Sequence, residues 1–424
     1  MRRLYTLALY CVTPLVLLRL LWRGFRAPQY WQRWGERFSF YKSDSNPGVI
    51  WFHAVSVGEV IAASSLVHEV QRRYPGQSLL ITTTTPTGSE QVRKMFGDSV
   101  QHIYCPYDLP WVVARFLKRF QPRIAIVMET EIWPNLFYQL AMHDVPLLLA
   151  NARLSARSAQ RYARVRKLTR ETLRMIPLIA AQTEADAARF IALGADAAHV
   201  PICGNIKFDL HIPASLFEQA EALRRLWGEN RFVWIAASTH EGEDDIILNV
   251  FKRFKAMNPT ALLVLVPRHP ERFSRVAALA GSLGFTTHLR SEGMVPMADA
   301  DVFVGDSMGE LLLFYLASDL AFVGGSLVEH GGHNPLEPAA CGLPIMMGPH
   351  TFNFAGVTSL LISNDLLEVV QGEVDLLDHL THLSEHADER ARLGERGREL
   401  VAANSGSVQL MADHVDAKIK NASF

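Results

Sequence analysis

Short apolar runs rich in β-branched and aromatic residues, each followed by a helix-length segment, recur through most of this chain and limit its fold more than any other feature. They fall at residues 49–55, 79–83, 100–104, 124–128, 146–150 and 178–181, and again at 232–237, 261–266, 301–305, 320–323 and 344–347. Strands that are apolar along their whole length and separated by helices imply parallel sheets covered on both faces. The stretch GNIKFDL at 204–210 closes the first series just before the second begins. A chain of 424 residues exceeds what one hydrophobic core usually supports. Two α/β lobes with a cleft between them are therefore expected, over 41–210 and 211–424, the second ending in helices from about Leu366 onward. No short-period repeat or low-complexity linker interrupts the pattern.

Residues 1–40 stand apart. From Leu4 to Trp22 the chain reads LYTLALYCVTPLVLLRLLW, which at ~1.5 Å per residue approaches the thickness of a hydrocarbon core. The following RGFRAPQYWQRWGER lacks a small-x-small cleavage site and is full of arginine and tryptophan, which argues against a cleavable leader. Arg2 and Arg3 precede the stretch, whereas Arg19, Arg23, Arg26, Arg33 and Arg37 lie at its end or beyond. That bias places the bulk of the chain on the cytoplasmic face of a membrane. Pro14 and Arg19 weaken a spanning helix and leave two alternatives open, a helix lying in the membrane surface and one docked on the protein itself. With 42 basic and 43 acidic residues there is no overall basic field to draw nucleic acid. Cys11, Cys105, Cys203 and Cys341 are scattered without CxxC spacing, which argues against a disulfide framework or a zinc site.

In open parallel sheets ligands sit at the carboxyl ends of strands. The loops there read HAVSVGE (53–59), METEIWPN (128–135), VPRHPER (266–272), GDSMGEL (305–311) and GGSLVEHGGHNPLEPA (324–339). Together with RWGERF, TPTGSE, NARLSARS, GNIKFD, STHEGE and MGPHTFNF, taken in order over essentially the whole chain, they closely resemble the 3-deoxy-D-manno-octulosonic acid (Kdo) transferases of Gram-negative lipopolysaccharide assembly. The resemblance implies a GT-B fold of two Rossmann-like, doubly wound domains. It also implies inverting transfer of Kdo from CMP-Kdo to a lipid A precursor (lipid IVA) at the cytoplasmic face of the inner membrane, with no cofactor and no required metal. The number of Kdo units added stays open, the resemblance tilting toward two.

An inverting displacement needs a base at the acceptor hydroxyl and stabilisation of the departing phosphate. The resemblance gives Glu59 of SVGE the role of general base, and the end of the first strand suits it. Ser56-x-x-Glu59 is equally a capping-box pattern, in which the carboxylate only satisfies a backbone N–H, and the helix N-terminus would hold it ionised. By the same resemblance Glu129 and Lys207 support the transition state. Glu131 rivals Glu129, because residues two apart on an extended segment share a face, and a structural salt bridge is the alternative for the pair. The second lobe is expected to hold CMP through Pro267, Arg268, Met308, Gly309, Glu310, Asn334, Pro335, Leu336 and Glu337. An arginine fork matches phosphate, and helix N-termini offer N–H groups to an anion. The spacing of Gly324-Gly325 and Gly331-Gly332 is not a Walker loop, which disfavours ATP hydrolysis. His240, His269, His330 and His333 lack the HExxH arrangement and read as polar loop residues rather than metal ligands. Arg153, Arg157, Arg161 and Arg164 recur at helical spacing, followed by Arg166, Lys167, Arg170 and Arg174. The stripe is either a solvated face or a surface for anionic lipid and the acceptor's phosphates.

Overall fold

The computed structural model describes residues 1–41, 47–293 and 299–421. Contacts divide the chain into two units, Met1–Asp209 with Asn404–Phe424, and Leu210–Ala403.

The first unit is built on β1 (Ile50–His53), β2 (Leu79–Thr83), β3 (Gln101–Tyr104), β4 (Ile124–Met128), β5 (Leu147–Ala152) and β6 (Ile179–Ala181). The strands pair in parallel in the order β3-β2-β1-β4-β5-β6. Ile50 and Phe52 of β1 face one hydrophobic layer and Trp51 the other, so alternate residues of a strand buried on both sides feed two cores. The order reverses between β1 and β4, the point where ligands collect in sheets of this type. Helix Val57–Arg73 shows how the layers form. Ser56 is extended and its hydroxyl accepts the N–H of Glu59, which starts the helix. Val60, Ala63, Leu66, Val67 and Val70 then recur every three or four residues and are buried against the sheet.

Helix Ser407–Asn421, expected with the second lobe, belongs to the first unit. Met411, Ala412, Val415 and Ile419 enter the core shared with Val60 and Leu66. Arg73 clamps the helix through Asp413 (2.8 Å) and Asp416 (2.7 Å), and Asp209 of GNIKFD accepts the N–H groups of Gly406 and Val408 at the start of the helix. An amphipathic pattern states that one face is buried but not which sheet covers it.

The second unit carries β7 (Val233–Thr239), β8 (Leu262–Pro267), β9 (Thr287–Leu289), β10 (Val302–Val304), β11 (Leu320–Val323), β12 (Ile345–Met347) and β13 (Leu367–Val369), parallel in the order β13-β12-β11-β7-β8-β10-β9. β13 lies in the stretch expected to be wholly helical, and β9 was not anticipated. Both are three-residue edge strands with at most one fully buried residue, and so lack a readable apolar run. The central strands bring the loops after β11, β7, β8 and β10 to adjacent positions at one edge of the sheet.

At the N-terminus, helix Arg2–Arg26 is long and apolar enough to cross a membrane by length and composition. A 3₁₀ turn, Pro28–Trp31, and a short helix, Trp34–Arg37, follow it.

Candidate active site

In the first unit the side chains singled out from the sequence converge where β1 and β4 end. Glu59 is 9 % exposed. Its Oε2 accepts the N–H of Val55 (2.8 Å) and its Oε1 accepts the Ser56 hydroxyl (3.1 Å), so Ser56 caps the helix as expected while the returning carboxylate takes the N–H of Val55 in place of that of Ser56. The expectation that the helix N-terminus holds this carboxylate ionised is not met. Burial pushes its pKa up to about 7, against the pull of the Val55 hydrogen bond, and the neighbouring charges of Glu131 and Glu129 push the same way. A cap alone would leave an ordinary carboxyl. This one is poised near neutrality.

Glu129 follows β4 with φ +55°, while its N–H stays in the sheet on Ala150 O (2.9 Å). The left-handed turn breaks the two-residue alternation that would have put Glu129 and Glu131 on one face, yet both act on Glu59. Glu131 is half-buried and accepts the Trp133 indole N–H (2.9 Å), and burial followed by Glu129 raises its pKa. Lys207 sits on a 3₁₀ turn, Ile206–Phe208, brought to the sheet edge by the bridge between Ala181 and Ile202. Burial lowers its pKa, the Glu129 charge opposes that, and Arg153 adds to it. Glu129 and Lys207 are thus within electrostatic reach of each other, as the sequence reading supposed.

Three residues given no role from the sequence hold this arrangement. Asn151, fully buried at φ +52°, sits where the β5–β6 register shifts, and its Oδ1 accepts the Ile206 N–H (3.2 Å), fixing the turn that carries Lys207. His53 lies beneath the site with Nδ1 2.9 Å from Thr82 Oγ1 and its ring edge-on to Trp133 at 6.0 Å. Burial lowers its pKa to about 4, so it is neutral at physiological pH. Asp108, 4 % exposed, accepts the N–H groups of Asn135 (3.1 Å) and Leu136 (2.6 Å) and so caps the helix Pro134–Met142 that follows METEIW.

The second unit organises its own set of loops. Pro267 ends β8 buried, and Arg268 is exposed beyond it with its N–H on Thr239 O (3.0 Å). Asn334 bridges the Leu336 N–H (3.1 Å) and Glu337 Oε1 (3.2 Å). Glu337 has its pKa raised by burial, with Asn334 and the Arg268 charge pulling the other way. Pro335 and Leu336 are buried, so they can meet a ligand only through backbone. Met308 is exposed and Gly309 turns at φ +89°, while Glu310 is gripped by Arg290 (2.8 Å) and by the Ser307 hydroxyl. Despite burial, those two partners bring the Glu310 pKa below its ordinary value.

The four histidines form one cluster around His240. The His240 ring lies 4.2 Å from that of His330 and 5.1 Å from that of His333, and edge-on to His269 at 5.4 Å. His240 Nε2 and His333 Nε2 are 2.8 Å apart, so one donates and the other accepts. Burial first, then their neighbours' charges, lower both pKa values to about 4. Among the described residues no three His, Cys, Asp or Glu side chains are grouped to hold a metal ion.

Glu243 of STHEGE is the residue of this unit that the sequence reading left without a role. It is fully buried and accepts four backbone N–H groups, of His240 (2.9 Å), Gly325 (2.7 Å), Ser326 (2.9 Å) and Leu327 (2.9 Å). One carboxylate therefore shapes the glycine loop after β11. Gly324 is required there because a Cβ would meet Ser238 O at 2.6 Å and Thr239 Cα at 2.7 Å. Glu243 is the first residue of the helix after β7, with Gly242 at the cap, so no capping pattern in the sequence marked it.

A sequence model of the 3-deoxy-D-manno-octulosonic-acid transferase (kdotransferase) family matches residues 32–210. A 3-deoxy-D-manno-octulosonic acid transferase of Haemophilus influenzae is 46 % identical over 415 residues, 97 % of each chain. Among solved structures, the C-terminal CMP-Kdo binding domain of WaaA from Acinetobacter baumannii is 34 % identical over 44 % of this chain and 98 % of its own, with a TM-score of 0.42. UDP-GlcNAc 2-epimerase from Neisseria meningitidis shares the two-domain fold at a TM-score of 0.54 and 12 % identity, covering 88 % of this chain and 99 % of its own.

Proposed function

The chain belongs to the 3-deoxy-D-manno-octulosonic acid transferase family, and we propose that it moves Kdo from CMP-Kdo onto lipid IVA, a lipid A precursor, with inversion, adding two residues at the cytoplasmic face of the inner membrane. In this reading an acceptor hydroxyl attacks the anomeric carbon of Kdo, its proton passes to Glu59, and the bond to the CMP phosphate breaks with its electron pair leaving on CMP. The observation that carries the reading, beside the full-length relationship, is the carboxylate held near neutrality by burial and by Glu129 and Glu131. A general base is most effective when its pKa lies near the working pH. Lys207 is the cation available for the Kdo carboxylate, and the Glu129 charge favours its protonated form against the burial that lowers its pKa. The donor's CMP falls to Pro267, Arg268, Met308, Gly309, Glu310, Asn334, Pro335, Leu336 and Glu337, the exposed Arg268 guanidinium facing the monophosphate. One arginine and backbone N–H groups suffice for a leaving group of that charge, so no metal takes part.

Product analysis after incubation with CMP-Kdo and a tetraacylated lipid A precursor tests reaction, acceptor and count together. Two added Kdo masses are expected, a single one overturns the count alone, and no transfer refutes the proposal. Because the fold is shared with UDP-sugar enzymes, thermal protection is compared in parallel. Protection by CMP and not by UDP is expected, and the reverse favours a UDP-sugar transferase or epimerase.

A further inference from the structure

We infer that helix Arg2–Arg26 lies flat in an anionic membrane surface and does not cross the bilayer, an inference that rests on the membrane-associated reading above. The helix is ~37 Å long, more than the ~30 Å of a hydrocarbon core. A spanning helix of that length carries its two ends to opposite sides of the membrane. Here both ends are fastened to the same folded unit.

At the first turn, Arg2 Nη1 and Thr6 Oγ1 donate to Asn135 Oδ1 (3.2 and 2.8 Å), Tyr5 OH donates to Asp108 Oδ2 (2.9 Å), and the Arg2 guanidinium lies 3.5 Å from the centre of the Tyr138 ring. At the far end the Trp31 indole donates to Leu21 O (3.1 Å) and packs edge-on against Phe25 at 5.2 Å, which folds the next segment back on the helix. That segment is pinned two residues later. Arg33 donates to Ser89 Oγ (3.1 Å) and His102 O (2.8 Å), Glu36 accepts the Tyr104 N–H (2.9 Å), and Arg37 donates to Thr84 O (2.9 Å). Ser89, His102, Asp108 and Asn135 all belong to the first unit, so the helix runs along its surface.

Exposure agrees with this placement. Arg2, Tyr5, Thr6, Leu9, Thr13, Val16, Leu17, Leu20 and Gly24 are the more covered positions, a single stripe at helical spacing over the whole length. Leu4, Leu7, Leu15, Leu18, Trp22 and Phe25 form the opposite stripe and are exposed. A helix projecting into lipid would be uncovered on every side beyond its root. The occupant is specified by charge and by aromatics. Arg3, Arg19 and Arg23 are exposed on the helix itself. The Met1 ammonium is 3.4 Å from Glu171, on the helix Arg166–Leu173 that carries part of the exposed Arg153–Arg174 stripe. Each such basic residue near an anionic bilayer contributes about 1 kcal/mol, and Trp22, Trp31, Phe40 and Trp111 add exposed rings suited to the headgroup level.

The test uses the full chain carrying Cys11→Ser, since the other three cysteines are buried, with Arg3→Cys or Gln29→Cys added and the protein bound to sealed vesicles containing phosphatidylglycerol. A membrane-impermeant maleimide applied from the side bearing the folded units is expected to label both positions equally. Spin labels at Leu4, Leu15 and Phe25 are expected at one common depth. Labelling of Arg3→Cys only after the vesicles are opened, or a Leu15 label ~15 Å deeper than the other two, overturns the inference while leaving membrane association intact. Failure of the chain to bind the vesicles overturns both, as does concealment of the outer stripe in a lipid-free oligomer.

Discussion

Replacing Glu59 with Gln separates its two roles, because the structure predicts opposite signs for activity and stability. The amide oxygen of Gln can still accept the Val55 N–H and its NH₂ can face the Ser56 hydroxyl, so the start of helix Val57–Arg73 is kept. What is lost is a group able to take a proton. Removing a general base costs about 10²- to 10⁴-fold in rate. Stability moves the other way. The folded carboxyl holds its proton up to about pH 7, whereas the unfolded one releases it near 4.5. Between those values the folded state binds more protons, so wild-type stability falls as pH rises across that window and levels off above it. At about 1.4 kcal/mol for each unit of pKa, the ionised side chain costs the fold up to about 3 kcal/mol at pH 8. Gln does not ionise. E59Q should therefore melt several degrees above the parent at pH 8 and level with it near pH 4.5, and product formation from CMP-Kdo should be nearly abolished at both. For the parent, kcat/KM should rise through about pH 7. A variant turning over within tenfold of the parent removes Glu59 from the mechanism, and a melting gain that is the same at both pH values refutes the buried-carboxylate argument.

Other perturbations address the supports. Asn151→Ala frees the Ile206 N–H and the turn bearing Lys207, so kcat should fall with little change in the KM for donor and a stability loss of about 1–3 kcal/mol; unchanged kcat would leave Asn151 a purely structural residue. Glu243→Gln sets an NH₂ group against two of the four N–H groups that the carboxylate satisfies, two on each oxygen, and thermal protection by CMP should disappear, whereas full protection would show that the loop after β11 forms without it. Addition of a chelator should leave the transfer rate unchanged, and its loss, restored by a divalent cation, would contradict the metal-independent reading.

The parts of the fold legible in the sequence were those fixed by local physics. Trp51 and Phe52 are buried on opposite faces of one strand, and a run such as VIWFHAV is apolar throughout for that reason. The Ser56 cap on the Glu59 N–H was equally visible, being a four-residue device. What escaped was set by distant parts of the chain. Nothing near Met411 states that it fills the core beside Leu66, and nothing near Asp108 states that it receives Tyr5 and caps a helix starting at Pro134. The pKa of Glu59 belongs to the same class, since burial by the whole unit outweighs the nearby N–H that the sequence made obvious.

The backbone shows why the candidate sites form where they do. Asn151 (φ +52°) and Ser238 (φ +56°) are non-glycine residues in left-handed conformation, each where a parallel strand slips register with its neighbour, and Glu129 (φ +55°) follows β4 in the same conformation. Such residues cost about 1–3 kcal/mol each and persist only where the surroundings over-determine them. Asn151 is held by Ile206 and Gln182, Glu129 keeps a sheet hydrogen bond to Ala150, and the Ser238 bulge is what Gly324 must approach without a side chain. In each case the distortion turns a strand end out of the pleat. If strain there serves placement, Asn151→Gly should relieve the backbone yet still lose kcat, because the amide that fixes the Lys207 turn is gone. Recovery of full activity in that variant would mean that conformation alone, and not the hydrogen bond to Ile206, is what the site requires.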